Sequence, residues 1–260
     1  MSTRIGVYTA TRWEQNAVGR AITVEGRCAV AGFRCVVGRR GGVRVFIVQG
    51  GVGPLKAESA WRQFLAGETV DAAISSGYAG ALMSARAGTL LIGTDVVNSE
   101  VSGGYRETGP AYPCAPELQS RAVAVANRFG WPSMKGRIVT VPRIVIRAEE
   151  KRVVAAGSQA IGLDMESAAV AVASAARNVP FVVIRTVSDV VEEDLPLDFN
   201  LFLHPAGAVG LVGPVGWLKG VVAGLAHPMR LAGLIRLRKQ AALASQRLTE
   251  FYGGFLEQMA

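Results

Sequence analysis

A chain of 260 residues, half of them hydrophobic and 31 of them glycine, is long enough for one well-packed α/β domain with many tight turns. Its formal net charge of +8 would suit nucleic acid, yet no run combines dense Lys/Arg with interleaved aromatics, so a nucleic-acid groove is excluded. The N-terminus carries no apolar stretch of signal-peptide type, and Cys28, Cys35 and Cys114 form neither a CxxC nor a metal-ligand spacing; a reduced, cytoplasmic setting without a metal is expected.

In chain order, "RIGVYTA", "VRVFIVQG", "DAAISSG", "GTLLIGTDVV", "GRIVTV" and "FVVIRTVSD" read as strands. Several are apolar almost throughout, which predicts strands covered on both faces in a parallel or mixed α/β sheet. Between them, residues 54–67, 115–129, 148–157 and 166–177 have helical spacing. "GGVGPLKAES" follows a strand and opens a helix, where glycines let a backbone approach a ligand. It lacks both the P-loop ending and the dinucleotide spacing, so a plain tight turn stays open as its reading. "ISSGYAGAL" is a second glycine-rich strand exit, and crevices at strand ends are where open α/β sheets bind ligands. Residues 98–114 form a Gly/Pro-rich loop of the kind that lines a site.

"AIGLDMESAA" places Asp164 and Glu166 where an apolar strand runs into an alanine-rich helix, with no basic neighbour in sequence. Helix starts favour acids, so capping is one account of both carboxylates. The tail differs from everything before it. "FNLFLHPAGAVGLVGPVGWL" is an uncharged run of 20 residues, followed by a basic helical stretch, "HPMRLAGLIRLRKQAALASQRL". The run has the length of a membrane span, but its glycines and prolines make a poor isolated helix, and a spanning helix is not expected. A core helix with breaks is one reading. The other is a peripheral membrane element, with Trp217, Leu225 and Leu231 near lipid and arginines near anionic headgroups. Residues 1–200 are read as one catalytic domain and 201–260 as a helical, apolar and basic C-terminal extension packed on it or continuing it.

Five ordered segments, "IGVYTATRWE", "GGVG", "SSGYAGAL", "GLDMESAAVA" and "VPFVVIRTVSD", span residues 5 to 189 and carry a family resemblance. The chain resembles the nucleoside phosphorylase and nucleosidase superfamily, the fold of purine nucleoside phosphorylase and methylthioadenosine/S-adenosylhomocysteine nucleosidase. The resemblance implies a three-layer α/β/α fold around a central mixed, partly barrel-like sheet. It implies cleavage of an N-glycosidic bond, with Asp189 as the acid that protonates the purine, Ser188 orienting it, and an aspartate at this place pointing to adenine. Burial is expected to fit Asp189 for that task. Glu166 matches the glutamate that grips the ribose hydroxyls, Met165 packs beneath the sugar, and Asp164 supports. Glu14 matches the residue that activates water in the nucleosidases; a solvent-facing place on the first helix is the competing account.

Tyr78 falls where the family has Ser or Thr, and Gly80 keeps the backbone open. In "VTVPRIVIRAEEK", Pro142 and Arg143 replace the usual small and acidic residues, while Ile144 and Val145 are candidates for the wall against adenine. The family's N-terminal phosphate loop is missing. Phosphorolysis would need another anion clamp, for which Arg12, Arg143 and Arg147 are candidates, so water and phosphate both remain open as nucleophile. No cofactor is implied beyond phosphate as a co-substrate.

"TATRWE" and the long tail look most like the hopanoid-biosynthesis-associated phosphorylases, which implies release of adenine from adenosylhopane. Methylthioadenosine or S-adenosylhomocysteine cleavage and futalosine hydrolysis are the alternatives, and a homodimer is the expected assembly. Among other classes, a non-catalytic nucleoside- or lipid-binding protein on the same fold stays open. A nicotinamide-dependent oxidoreductase lacks its fingerprint. A serine hydrolase is disfavoured, because there is no GxSxG and both His204 and His227 precede prolines in the tail.

Overall fold

The computed structural model describes residues 2–30, 32–202 and 228–259. The chain opens with strand β1 (Arg4–Thr9), helix α1 (Arg12–Gly19), a hairpin of β2 (Thr23–Val30) and β3 (Phe33–Arg40), then β4 (Val43–Gln49) and α2 (Pro54–Gly67). β5 (Ala72–Ala81) and β6 (Leu90–Glu100) follow, with two short strands, β7 (Arg106–Glu107) and β8 (Tyr112–Pro113), folded back on β6. The residues expected as a loop at 98–114 therefore partly rejoin the sheet. After α3 (Pro116–Arg128) come β9 (Ser133–Thr140), α4 (Ala148–Ser158), β10 (Gly162–Asp164), α5 (Ser167–Ala175) and β11 (Phe181–Asp189). A 3-10 turn (Phe199–Phe202) and the long helix α6 (Pro228–Glu257) complete the described elements.

The strands form one mixed sheet ordered β10-β9-β6-β11-β5-β1-β4-β3-β2, and β10 also pairs with β5. That last pairing closes β10, β9, β6, β11 and β5 into a five-stranded barrel, from which β1, β4, β3 and β2 extend as a twisted wing. β1, β5 and β11 run parallel through the middle, which explains their unbroken apolar character: both faces are covered. α2 and α5 pack together on the sheet, and α1, α3 and α6 form a second helical group.

Trp61 of α2 shows how tightly the first group sits. It is fully buried, stacks on Phe64 at 4.9 Å, meets Tyr8 edge-on at 6.2 Å and donates Nε1–H to Ser174 Oγ of α5 at 2.9 Å. A Cβ on Gly6 of β1 would lie 2.8 Å from the Trp61 ring, so the strand can pass under the indole only without a side chain there.

The second half of α6 is core. Ala244, Leu248, Phe251, Tyr252, Phe255 and Leu256 recur at helical spacing and are fully buried against β11, α1 and α3. Its first half is different: Leu231, Ile235 and Leu243 are exposed. Among the described residues no helix is long and apolar enough to cross a membrane. Most of the uncharged run, with Trp217, Leu225 and both histidines, lies outside the described residues.

Replacing Trp61 by Ala should cost about 3–5 kcal/mol, the range for emptying a large aromatic site, with the loss read from urea unfolding. Trp61→Phe, which keeps most of the stacking, should cost clearly less; equal losses would mean that the Ser174 hydrogen bond, not packing, holds α2 to α5.

Candidate active site

Glu14 sits at the third position of α1 and closes a capping box with Thr11. Its Oε2 accepts from Thr11 N at 2.7 Å, Thr11 Oγ1 at 2.9 Å and Ala10 N at 3.1 Å. Oε1 accepts from Tyr78 N of β5 at 2.9 Å. Only 4% of the residue is exposed, so it is not a solvent-facing helix residue. Gly77 makes this approach feasible, since a Cβ there would lie 2.1 Å from Glu14 Oε1 and 2.5 Å from Arg185 Nη1.

Arg185 is the basic partner that Asp164 and Glu166 lack in sequence. It comes from the middle of β11, is fully buried, and puts Nη2 2.8 Å from Asp164 Oδ2 and 3.8 Å from Glu166 Oε2. The hydrogens of Nη2 point at Ser75 Oγ (2.9 Å) and Ser167 Oγ (3.0 Å), so the Asp164 contact is ionic rather than an aligned hydrogen bond. Nε and Nη1 have no aligned acceptor among the described residues. Burial works against the guanidinium charge, but Asp164, Glu166 and Glu14 more than offset it and hold the group charged.

The two acids divide the work at the start of α5. Asp164 Oδ1 takes the capping role, accepting from Glu166 N at 3.2 Å, Ser167 N at 3.1 Å and Thr140 Oγ1 at 2.7 Å. Glu166 makes no side-chain cap. Its Oε1 instead accepts from Gly53 N at 2.9 Å, at the start of α2, where Gly53 has φ +98°. Burial raises the Glu166 carboxyl to about 8; Arg185 pulls it down, while Asp164 and Glu14 push it up. One arginine thus faces three carboxylates, and burial favours a proton on Glu166.

Asp189 lies at the exit of β11, where the register with β5 slips: Val187 pairs with Ala79 and Asp189 with Gly80, leaving Ser188 as a bulge. Ser188 Oγ donates to Asp189 Oδ1 at 2.9 Å. The burial expected for this acid is incomplete, since its side chain is 18% exposed. The fully buried Lys151 of α4 donates Nζ–H to Asp189 Oδ2 at 2.7 Å. A cavity of about 540 Å³ borders Asp189 and runs along α6 past Glu193, Pro196 and Arg236; Glu14 and Glu166 do not line it.

β5 is the common wall. Tyr78 and Gly77 face Glu14, Gly80 faces Asp189, and Gly80 also pairs with Leu163, the residue before Asp164. Of the other expected residues, Tyr78 contributes its N–H, and burial pushes its hydroxyl up to about 12. Half-buried Met165 packs on a small cluster that contains Leu82 and Val139. Val145 is buried in that cluster, and Ile144 is held by Asn200, which accepts from its N–H at 2.8 Å and donates to its carbonyl at 2.9 Å. The candidate anion clamps are not gathered with the acids: Arg12 and Arg147 are exposed, and Arg143 pairs with Glu150. Arg185, Lys151 and Tyr8, whose hydroxyl donates to Gly51 O at 2.6 Å, were not anticipated; each is embedded in a segment that reads as ordinary strand or charged helix.

The Glu166 proton gives a stability signature. A carboxyl that titrates near 8 when folded, against about 4.5 unfolded, stabilises the fold fully below the unfolded value and loses that contribution as pH rises through 8. Gln keeps the neutral form at every pH. Glu166→Gln should therefore match the wild-type Tm at pH 4 and exceed it at pH 9, by about 2–4 °C for each kcal/mol released. The same Tm difference at both pH values would remove the buried-proton account.

Comparison with known proteins places this geometry. A 5'-methylthioadenosine/S-adenosylhomocysteine nucleosidase of Shewanella sp. (strain W3-18-1) is 27% identical over 219 residues, which is 78% of this chain and 93% of the relative. A crystal structure of the Helicobacter pylori 5'-methylthioadenosine/S-adenosyl homocysteine nucleosidase, complexed with a pyrrolidin-3-ol compound, superposes with a TM-score of 0.75 at 16% identity, covering 99% of each chain. The native futalosine hydrolase of Helicobacter pylori strain 26695 also superposes with a TM-score of 0.75, at 17% identity and 99% of each chain. These likenesses at low identity show a shared fold. The Phosphorylase superfamily matches residues 4–204, from the start of β1 to beyond the 3-10 turn, and the chain belongs to that superfamily.

Proposed function

We propose that the protein hydrolyses the N-glycosidic bond of a 5′-substituted adenine nucleoside, with methylthioadenosine or S-adenosylhomocysteine as the leading substrates. The observation that carries this reading is the cluster of Glu14 and Glu166 around Arg185, with Asp189 reached along β5 from Gly77, which lies beside Glu14, to Gly80, which lies beside Asp189. The nucleosidase relatives support the substrate class.

Cleaving the bond places positive charge on the ribose and negative charge on the base. Glu166 accepts hydrogen bonds from the ribose hydroxyls, and its carboxylate faces the electron-poor sugar. Glu14 is held by four donors with Arg185 beside it, a setting in which its carboxylate takes a proton from an attacking water. Asp189 supplies the proton to the departing purine. Water is favoured over phosphate as nucleophile because Arg12 and Arg147 are exposed, Arg143 pairs with Glu150, and Arg185 is committed to carboxylates.

A second substrate reading is adenosylhopane. What favours it is the first half of α6, where exposed Leu231, Ile235 and Leu243 alternate with the basic residues Arg236, Arg238 and Lys239, a pattern suited to an anionic lipid surface. A homodimer belongs with either substrate, since exposed Trp13 and Leu55 flank the residues that hold Glu14 and Glu166 and offer an apolar rim for a second copy.

Mass spectrometry of products decides among these. The expected result with methylthioadenosine is adenine and methylthioribose in equal yield with and without phosphate; a sugar 1-phosphate would overturn hydrolysis. Faster release of adenine from adenosylhopane in anionic vesicles would move the substrate to the lipid-linked class. Adenine binding without turnover would make the chain a binding protein. Asp189→Asn and Glu14→Gln should each lower kcat by about 10²–10⁴, the span of one general acid or base.

A further inference from the structure

Lys151 is the one lysine of α4, and the helix turns it inward beside Ala148 and Val154, so that its ammonium is fully buried. Its three hydrogens meet three acceptors: Asp189 Oδ2 at 2.7 Å, Val190 O at 2.9 Å and Glu193 O at 3.3 Å. The nearby cation on α6, Arg236, is engaged by the Glu193 carboxylate at 2.6 Å. Asp194 accepts from Ala148 N at 2.7 Å, and Glu150 pairs with Arg143, so neither acid competes for the ammonium. β5 presents only Gly80 to this side of Asp189.

The two oxygens of Asp189 are therefore unlike. Oδ2 is fixed inside the protein by an ammonium. Among the described residues Oδ1 carries only the Ser188 hydroxyl, which has a second acceptor, Ala79 O, at 3.4 Å. Turning Ser188 to that carbonyl frees Oδ1 to hold a proton and face a ligand.

We propose that Lys151 is a positioning residue for protonation of the leaving base: it aims Asp189 through Oδ2 and stabilises the carboxylate that appears when Oδ1 gives up its proton. The proposal rests on the adenine-releasing reading. In the step, the C1′–N9 bond breaks with its electron pair moving into the purine. The O–H bond at Oδ1 breaks and its proton bonds to N7. Asp189 is left as a carboxylate opposite the ammonium, and Ser188 returns to Oδ1. Glu14 takes one proton from the attacking water, and exchange with solvent restores the other, so each turnover balances. The ammonium interacts more strongly with the carboxylate that forms than with the neutral acid, so once Oδ1 carries a proton the pairing favours its transfer to the base.

The test compares two leaving groups in the full-length protein: methylthioadenosine, whose adenine departs with a proton, and a 4-nitrophenyl β-D-riboside, whose phenolate departs without one. For Lys151→Met the expected result is a loss on the order of 10²-fold in kcat on methylthioadenosine, with KM nearly unchanged and the riboside rate kept. Lys151→Arg, which keeps the positive charge, should recover part of the lost rate. A double-mutant cycle gives a second readout if the riboside is a poor substrate: in the Asp189→Asn background, Lys151→Met should add no further loss. Equal losses on both leaving groups in a variant with wild-type circular dichroism, or full additivity in the cycle, would overturn the proposal and leave Lys151 as a brace for the turn after β11. Wild-type protein that releases no adenine at all would sink the parent reading itself and this proposal with it, whereas normal adenine release alongside a failed leaving-group split would sink the proposal alone.

Discussion

A guanidinium buried with no access to water dictates much of this molecule. Arg185 cannot stay in the sheet interior without anions and hydroxyls close by, because stripping water from a charge costs several kcal/mol that only close partners offset. The partners come from separate elements: Asp164 from β10, Glu166 and Ser167 from the start of α5, Ser75 from β5. Glu14, from α1, is attached through Gly77 and Tyr78. Satisfying one arginine thus brings together the elements that would otherwise have only apolar contacts to set their relative positions. The same requirement leaves three acids crowded around a single cation, which is a poor arrangement for stability.

The other end of the site is built on the opposite ratio. Asp189 is a single carboxylate with its own ammonium and a hydroxyl, displaced from the regular ladder by the bulge at Ser188. Two charge environments therefore adjoin β5, one short of positive charge at Gly77 and one balanced at Gly80. Different carboxylates in one cleft acquire different chemistry through such neighbours rather than through their own identity.

The fold was largely legible in the sequence. Fully apolar strands and alanine-rich helical segments gave the α/β class, and the four helices read from spacing match α2 to α5 to within a few residues. The hairpin of β2 and β3 was not legible, because β2 is exposed along nearly its whole length and shows no period of two. In the site, the acids stood out because "DMES" and "VSD" interrupt apolar runs. Arg185 did not, since one charge inside "FVVIRTV" reads as a strand edge until pairing places it between β5 and β6. Lys151 hid in "AEEKRVV", a stretch that looks like a solvated helix face. Only the turn after β11 shows why its lysine points inward with Ala148 and Val154.

The closed circuit of strands has a mechanical consequence. At Gly80 the β5 backbone is paired with Asp189 on one side and Leu163 on the other, so neither neighbour can peel away without breaking a ring. The wall behind the acids is accordingly tied along both edges. The stretch between Asp189 and the 3-10 turn belongs to no such ring and is fastened mainly by side chains: Lys151 on Val190 and Glu193, Asn200 on Ile144, and Arg236 reaching over from α6. Its attachment can therefore be cut one side chain at a time by substitution, without opening the circuit of strands.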